Sequence, residues 1–132
     1  MTNNALITGG TRGIGHSTSS LLLSQGWHTI PLGRKDFDIT QPKQVSDYFV
    51  NRYDHSKPID AIVFSHGQWY SESFRLQSPF AYRNQYESRV IQPVKIINDF
   101  TTDLEMSQIG CVIFVSSTRG FIGGKDTAPY SL

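Results

Sequence analysis

The 132 residues carry 38% hydrophobic and 17% charged side chains at a formal net charge of +1, which excludes a disordered chain and argues against nucleic-acid or anionic-membrane partners. The length suits one domain, residues 1–132, burying roughly two-thirds of its unfolded surface. A lone cysteine, Cys111, excludes an internal disulfide and fits a reducing compartment. No apolar run approaches the ~20 residues of a membrane span, and no leader pattern precedes the first apolar run, so a cytoplasmic protein is expected.

Ala5–Thr8 is predicted as the first strand, followed by a glycine-rich turn and a helix from Gly13 to Gln25 closed by Gly26. His28–Leu32 is predicted as a second strand, and Phe37-Asp38-Ile39 as a short third one beyond Gly33–Asp36. Pro42 opens a helix running to about Arg52 with Val45, Phe49 and Val50 on it. Ile59–Ser65 is the fourth predicted strand, and Gly67 to Ser78 a polar, aromatic loop over the site. Pro79 to Met106 is read as one or two helices, with Val90, Val94, Ile97, Phe100 or Thr101 and Leu104 on one face. Cys111–Ser116 is the fifth strand. Apolar strands alternating with helices predict an α/β fold: a doubly wound parallel sheet of Rossmann type, order 3-2-1-4-5, in three α/β/α layers.

The segment Thr8-Gly9-Gly10-Thr11-Arg12-Gly13-Ile14-Gly15 is the most informative. Glycine lets the backbone turn tightly and approach a ligand, and the unpaired N–H groups of a helix start face a phosphate. A strand before it and a helix after it make this a dinucleotide-binding pattern rather than a plain turn. The cofactor-binding candidates here are Gly9, Thr11, Arg12, Gly13, Ile14 and Gly15. The four histidines, at positions 16, 28, 55 and 66, show no metal-ligand spacing, and no metal site is expected.

These residues resemble the short-chain dehydrogenase/reductase family, over essentially the whole chain. Thr8-Gly9-x-x-x-Gly13-x-Gly15 resembles its cofactor signature; Val63-Phe64-Ser65-His66-Gly67 falls where the family carries Asn-Ala-Gly, with only the glycine matching. Val115-Ser116-Ser117 resembles the strand end bearing the catalytic serine, and Tyr130 follows Ser117 at the family's interval. The resemblance therefore implies Ser117 and Tyr130 as catalytic positions and adds Ser65 and Gly67 to the cofactor site. Two departures stand out: the lysine implied four residues after Tyr130 would fall beyond Leu132, and Arg89 stands where an asparagine is usual. Family members are nearly twice as long, so the chain is expected to be an N-terminal half with impaired hydride transfer. The implied substrate is a small carbonyl or alcohol.

Members preferring NAD end the second strand with a carboxylate; here the end reads Leu32-Gly33-Arg34-Lys35. Arg12 and Arg34 either flank a 2′-phosphate, which favours NADP over NAD, or are solvated surface arginines. Asp38-Ile39-Thr40 resembles the family's Asp-Val-Thr, whose aspartate meets the adenine amino group; the alternative is a capping turn before Pro42. Trp69 and Tyr70 either line a substrate pocket or anchor a loop. The competing function is a non-catalytic nucleotide-binding or interaction module; a flavodoxin-like regulatory domain shares the strand order but leaves the glycine turn unexplained. The fifth strand, as an exposed apolar edge, predicts a homodimer or larger assembly, and the helix carrying Val90, Val94 and Ile97 resembles the one that family members bury at their dimer interface.

Overall fold

The computed structural model describes residues 2–67, 71–124 and 126–131. Trp69 and Tyr70 lie outside the described residues. Four parallel strands, β1 (Asn4–Thr8), β2 (His28–Leu32), β3 (Ala61–Phe64) and β4 (Cys111–Phe114), form a sheet of order β2-β1-β3-β4. Leu6 lies opposite Ile30 on one side and Ile62 on the other, and Ile62 opposite Val112. The two inner strands are buried along their whole length, which is why Asn4–Thr8 and Ala61–Phe64 are almost continuously apolar.

Helix α1 (Gly13–Ser24) connects β1 to β2 and covers one face, where Leu22 and Trp27 pack on Ala5, Ile7, Ala61 and Val63. The small alanines let the helix sit close. Helix α2 (Pro42–Asn51) and the later helices cover the other face over an aromatic core of Phe37, Tyr48, Phe49, Tyr53 and Phe100 around Leu6 and Ile62. Rings in this cluster meet edge-on or tilted, Tyr48 and Phe49 with centroids 5.2 Å apart at 89°. Each fully buried Leu or Ile contributes roughly 1.5–3 kcal/mol. The winding runs from β1 out to β2, then reverses across β1 to β3 and β4, leaving a crevice at the reversal.

The expected third strand does not form, and the sheet keeps four of the five predicted members. A parallel neighbour needs a crossover of a dozen or more residues, whereas Gly33–Asp36 only turns the chain, with the Asp36 N–H bonded to the Gly33 carbonyl at 2.9 Å. Because His28 N–H and Leu32 C=O point at β1, the alternation of a strand turns Pro31 to the outer edge, where it has no N–H to offer another strand. Phe37 instead enters the aromatic core and is 6% exposed.

Residues 79–99 form one helix in three parts: α3 (Pro79–Tyr86), a π-turn (Glu87–Ile91) and α4 (Gln92–Asp99). Pro93 explains the widened turn, since a proline ring clashes with the carbonyl four residues back in a regular α-helix. The expected stripe holds in its later part, where Phe100 is buried and Ile97 and Leu104 pack on the core, but Val90 and Val94 are exposed and Gln92, Pro93 and Ile96 are buried instead. Helix α5 (Thr101–Met106) leads into β4, and beyond it the chain makes a 3₁₀ turn (Thr118–Gly120) and α6 (Ala128–Ser131), which packs on α3.

Candidate functional site

A cavity of about 290 Å³ opens at the carboxyl ends of β1, β2 and β3. Of the residues singled out in the sequence, Gly9, Thr11, Arg12, Gly13, Ile14, Arg34, Asp38, Ile39, Ser65 and Gly67 line it. Gly13 has φ +58° and open space where a side chain would start, so the backbone itself forms the wall. Gly15 lies behind that wall: an added Cβ would overlap the Gly9 carbonyl and the Ser65 hydroxyl, so its role is close packing of α1 on the strand ends.

The start of α1 suits an anion. Arg12 occupies the N-cap in extended conformation, no side chain caps the helix, and no acidic residue sits in its first turn. The first N–H groups and the positive end of the helix dipole are therefore left to a ligand phosphate. This open, uncapped cradle fits a dinucleotide. Arg12, at this helix start, and Arg34, just past β2, are both exposed and both line the cavity. The carboxylate nearest to the β2 end, Asp36, is turned away: it accepts the Gly33 N–H at 2.9 Å and lies 3.9 Å from Arg52. Asp38 accepts the Thr40 N–H at 2.9 Å and its hydroxyl at 2.8 Å, which builds the turn before Pro42 while leaving one carboxylate oxygen at the cavity.

Ser65 and His66 hold the floor. The Ser65 hydroxyl donates to the Thr8 carbonyl at 2.7 Å, tying β3 to β1. His66 was not among the expected site residues, yet it lines the cavity and bridges three elements. Its Nε2 lies 2.5 Å from the Ser88 carbonyl and must donate to it, so Nδ1 accepts from the Thr8 hydroxyl at 2.6 Å. In the π-turn the Gln92 N–H bonds to the Glu87 carbonyl, and the next residue, Pro93, has no N–H for Ser88. The Ser88 carbonyl is thus available to histidine. Burial pushes the His66 pKa down, opposed by the Ser88 hydrogen bond and assisted by the Arg89 charge. A proline inside an otherwise helical run was the signal for this arrangement. Thr8, Leu32, Gly33 and Thr40, which flank the expected site residues in the same motifs, also line the cavity, as do Phe37 and Ser88.

Ser117 and Tyr130 do not line the cavity. Ser117 follows β4 and caps the 3₁₀ turn, its hydroxyl oxygen accepting the Arg119 N–H at 3.2 Å. Tyr130, on α6, is partly buried, and the Arg89 guanidinium lies over its ring, 4.3 Å from the centroid. The Arg89 Nε donates to Gln85 Oε1 at 2.7 Å.

No family model matches the sequence, and no curated protein does. Solved structures do match. A short-chain dehydrogenase/reductase-family oxidoreductase from Brucella ovis, in complex with a partially ordered NAD, superposes with a TM-score of 0.83 at 19% identity over 99% of this chain and 70% of its own. A short-chain dehydrogenase from Streptomyces avermitilis gives 0.86 at 17% identity, over 99% of this chain and 55% of that one. The fold is that of the short-chain dehydrogenases. A 4-hydroxyisoleucine dehydrogenase complexed with NADH superposes on the same short-chain dehydrogenase fold with a TM-score of 0.86 at 16% identity, covering 98% of this chain and 61% of that chain. The chain thus spans between 55% and 70% of the length of these short-chain dehydrogenases. No helix among the described residues is long and apolar enough to cross a membrane.

Proposed function

We propose that residues 1–132 form the NADP(H)-binding domain of a short-chain dehydrogenase/reductase acting on a small carbonyl or alcohol in the cytoplasm. The observation that carries this reading is the cavity at the reversal of strand order, walled by an uncapped helix start with Arg12 at its N-cap and lined by Arg34 beyond β2. The pyrophosphate would rest on the N–H groups after Gly13, the adenine beside Asp38 and Ile39, and the nicotinamide ribose near Ser65 and Gly67. Asp36, bonded to the Gly33 N–H and 3.9 Å from Arg52, does not offer the ribose a carboxylate at the end of β2. Guanidinium groups suit phosphate geometry, which favours NADP over NAD.

When bound, the nicotinamide supplies a hydride to, or takes one from, the substrate carbon. For reduction, Tyr130 would give its hydroxyl proton to the carbonyl oxygen, Ser117 would hydrogen-bond that oxygen, and solvent would reprotonate Tyr130. That both residues lie outside the cavity lining favours a second reading, a nucleotide-binding module without turnover. Calorimetry separates cofactor choice: NADPH should bind about tenfold more tightly than NADH, about 1.4 kcal/mol, and Arg34→Ala should erase that margin. Equal affinities in the unaltered protein would defeat the NADP assignment. NADPH oxidation with a panel of carbonyls, absent in Tyr130→Phe, separates the enzyme from the module. We also propose a homodimer or larger assembly, through the free edge of β4 or through the exposed Val90 and Val94.

A further inference from the structure

Arg89 is the one site cation that the dinucleotide reading leaves without a task. It sits in the π-turn beside Ser88, whose backbone helps wall the cavity, and a Cβ built on Gly67 would lie 3.5 Å from Nη2. Its Nε is fixed by Gln85, itself only 9% exposed, and the guanidinium plane rests over the Tyr130 ring. Among the described residues neither Nη group has a hydrogen bond and no carboxylate pairs with the guanidinium. A half-buried cation held at two points and lacking a counter-charge is costly unless an anion completes it. Guanidinium accepts carboxylate through two parallel N–H bonds, a geometry that a fixed fork presents with little further loss of side-chain freedom.

We propose that Arg89 is a specificity-determining residue that grips the carboxylate of a short oxo acid or hydroxy acid at the junction between the cofactor cavity and Tyr130. The inference rests on the dinucleotide-dependent reading of the same site. The stacking contact sets the chain length of the substrate: a carboxylate seated on the Nη groups lies about 4 Å from the guanidinium carbon. With the Tyr130 ring centre 4.3 Å from that carbon, the carboxylate and the reacting carbonyl must lie close together, which selects a short acid. Gln85 is a positioning residue, holding Nε so that the two Nη groups face outward.

Calorimetry with two unreactive probes tests this: oxamate, which carries a carboxylate, and oxamide, its uncharged counterpart, each titrated into NADPH-saturated and cofactor-free protein. Oxamate is expected to bind about tenfold or more tightly than oxamide, as a charged hydrogen-bonded pair should. Arg89→Met should abolish the difference, and Arg89→Lys, which keeps charge but not the fork, should restore only part of it. Equal binding of the two probes overturns the inference, as does a preference that survives in Arg89→Met. A loss of NADPH affinity in Arg89→Met with the oxamate preference intact overturns it too, by assigning the arginine to a cofactor phosphate. NADPH binding is read in the same samples, so a protein that ignores NADPH but prefers oxamate defeats the dinucleotide reading and not the carboxylate anchor.

Discussion

Tyr53 shows how a single buried atom works against the fold. Its ring is 8% exposed in the aromatic core, 5.4 Å from Phe100 and 5.5 Å from Phe49, but its hydroxyl has no hydrogen-bond partner among the described residues. Burial is the main reason its pKa is raised, with the nearby Tyr48 and Asp103 adding to it. An unpaired buried hydroxyl costs about 1 kcal/mol or more. Tyr53→Phe keeps every ring contact and removes that cost, so urea unfolding should show a gain of about 1 kcal/mol. Thermal melting should rise by about 4 °C. A loss of stability would mean that the hydroxyl has a partner in solution.

His66 acts at the scale of elements, since its two ring nitrogens join β1 to the π-turn from the end of β3. Charging the ring would reverse the Thr8 hydrogen bond, with Nδ1–H donating to the hydroxyl, and would place a buried positive charge near Arg89. The folded protein keeps His66 below the ordinary histidine pKa of ~6.5. In the window between that value and the lower folded one, the unfolded chain binds more protons, so stability falls as pH is lowered through it and is flat above. Melting temperature should therefore drop on going from about pH 7.5 to pH 5, and His66→Asn should lose part of that slope while melting lower at neutral pH. Parallel profiles for the two proteins would remove His66 from the account.

The same junction shows what could be read in advance. Inner strands announce themselves, because burial on both faces demands apolar residues at every position, and the glycine turn is dictated by backbone geometry alone; hence ten of the predicted cofactor residues do line the cavity. Phe37-Asp38-Ile39 looks like a strand because a core aromatic and a strand residue have the same side chain. Only the length of the connection and the direction of Pro31 distinguish them. The His66–Ser88 bond depends on a register shift inside a helix, and nothing in periodicity reports which carbonyl such a shift leaves open.

For the whole molecule the consequential surface is the far side of β4. Cys111 N–H bonds to the Asp60 carbonyl and Val115 N–H to the Phe64 carbonyl, so Val112 and Phe114 direct their backbone groups outward. Ile113 and Phe114 are half exposed, and the residues that follow turn away to pack α6 on α3 instead of covering them. Such an edge invites another strand. Light scattering at tens of micromolar should give a mass above the 14.9 kDa of one chain, and Phe114→Lys should reduce it if β4 is the contact. A concentration-independent monomer mass would exclude self-association by any surface.

Strand β1 has a different consequence, one that concerns synthesis. It lies between β2 and β3, so Ala5-Leu6-Ile7, made before either, finds its second neighbour only when Ala61–Phe64 has been made. At ordinary elongation rates that interval is roughly 3–10 s. During it the nascent chain can form only the β1–α1–β2 unit, whose strand presents a bare apolar flank to whatever is nearby. The early chain is therefore the stretch in which a holding chaperone would matter most to the yield of this protein.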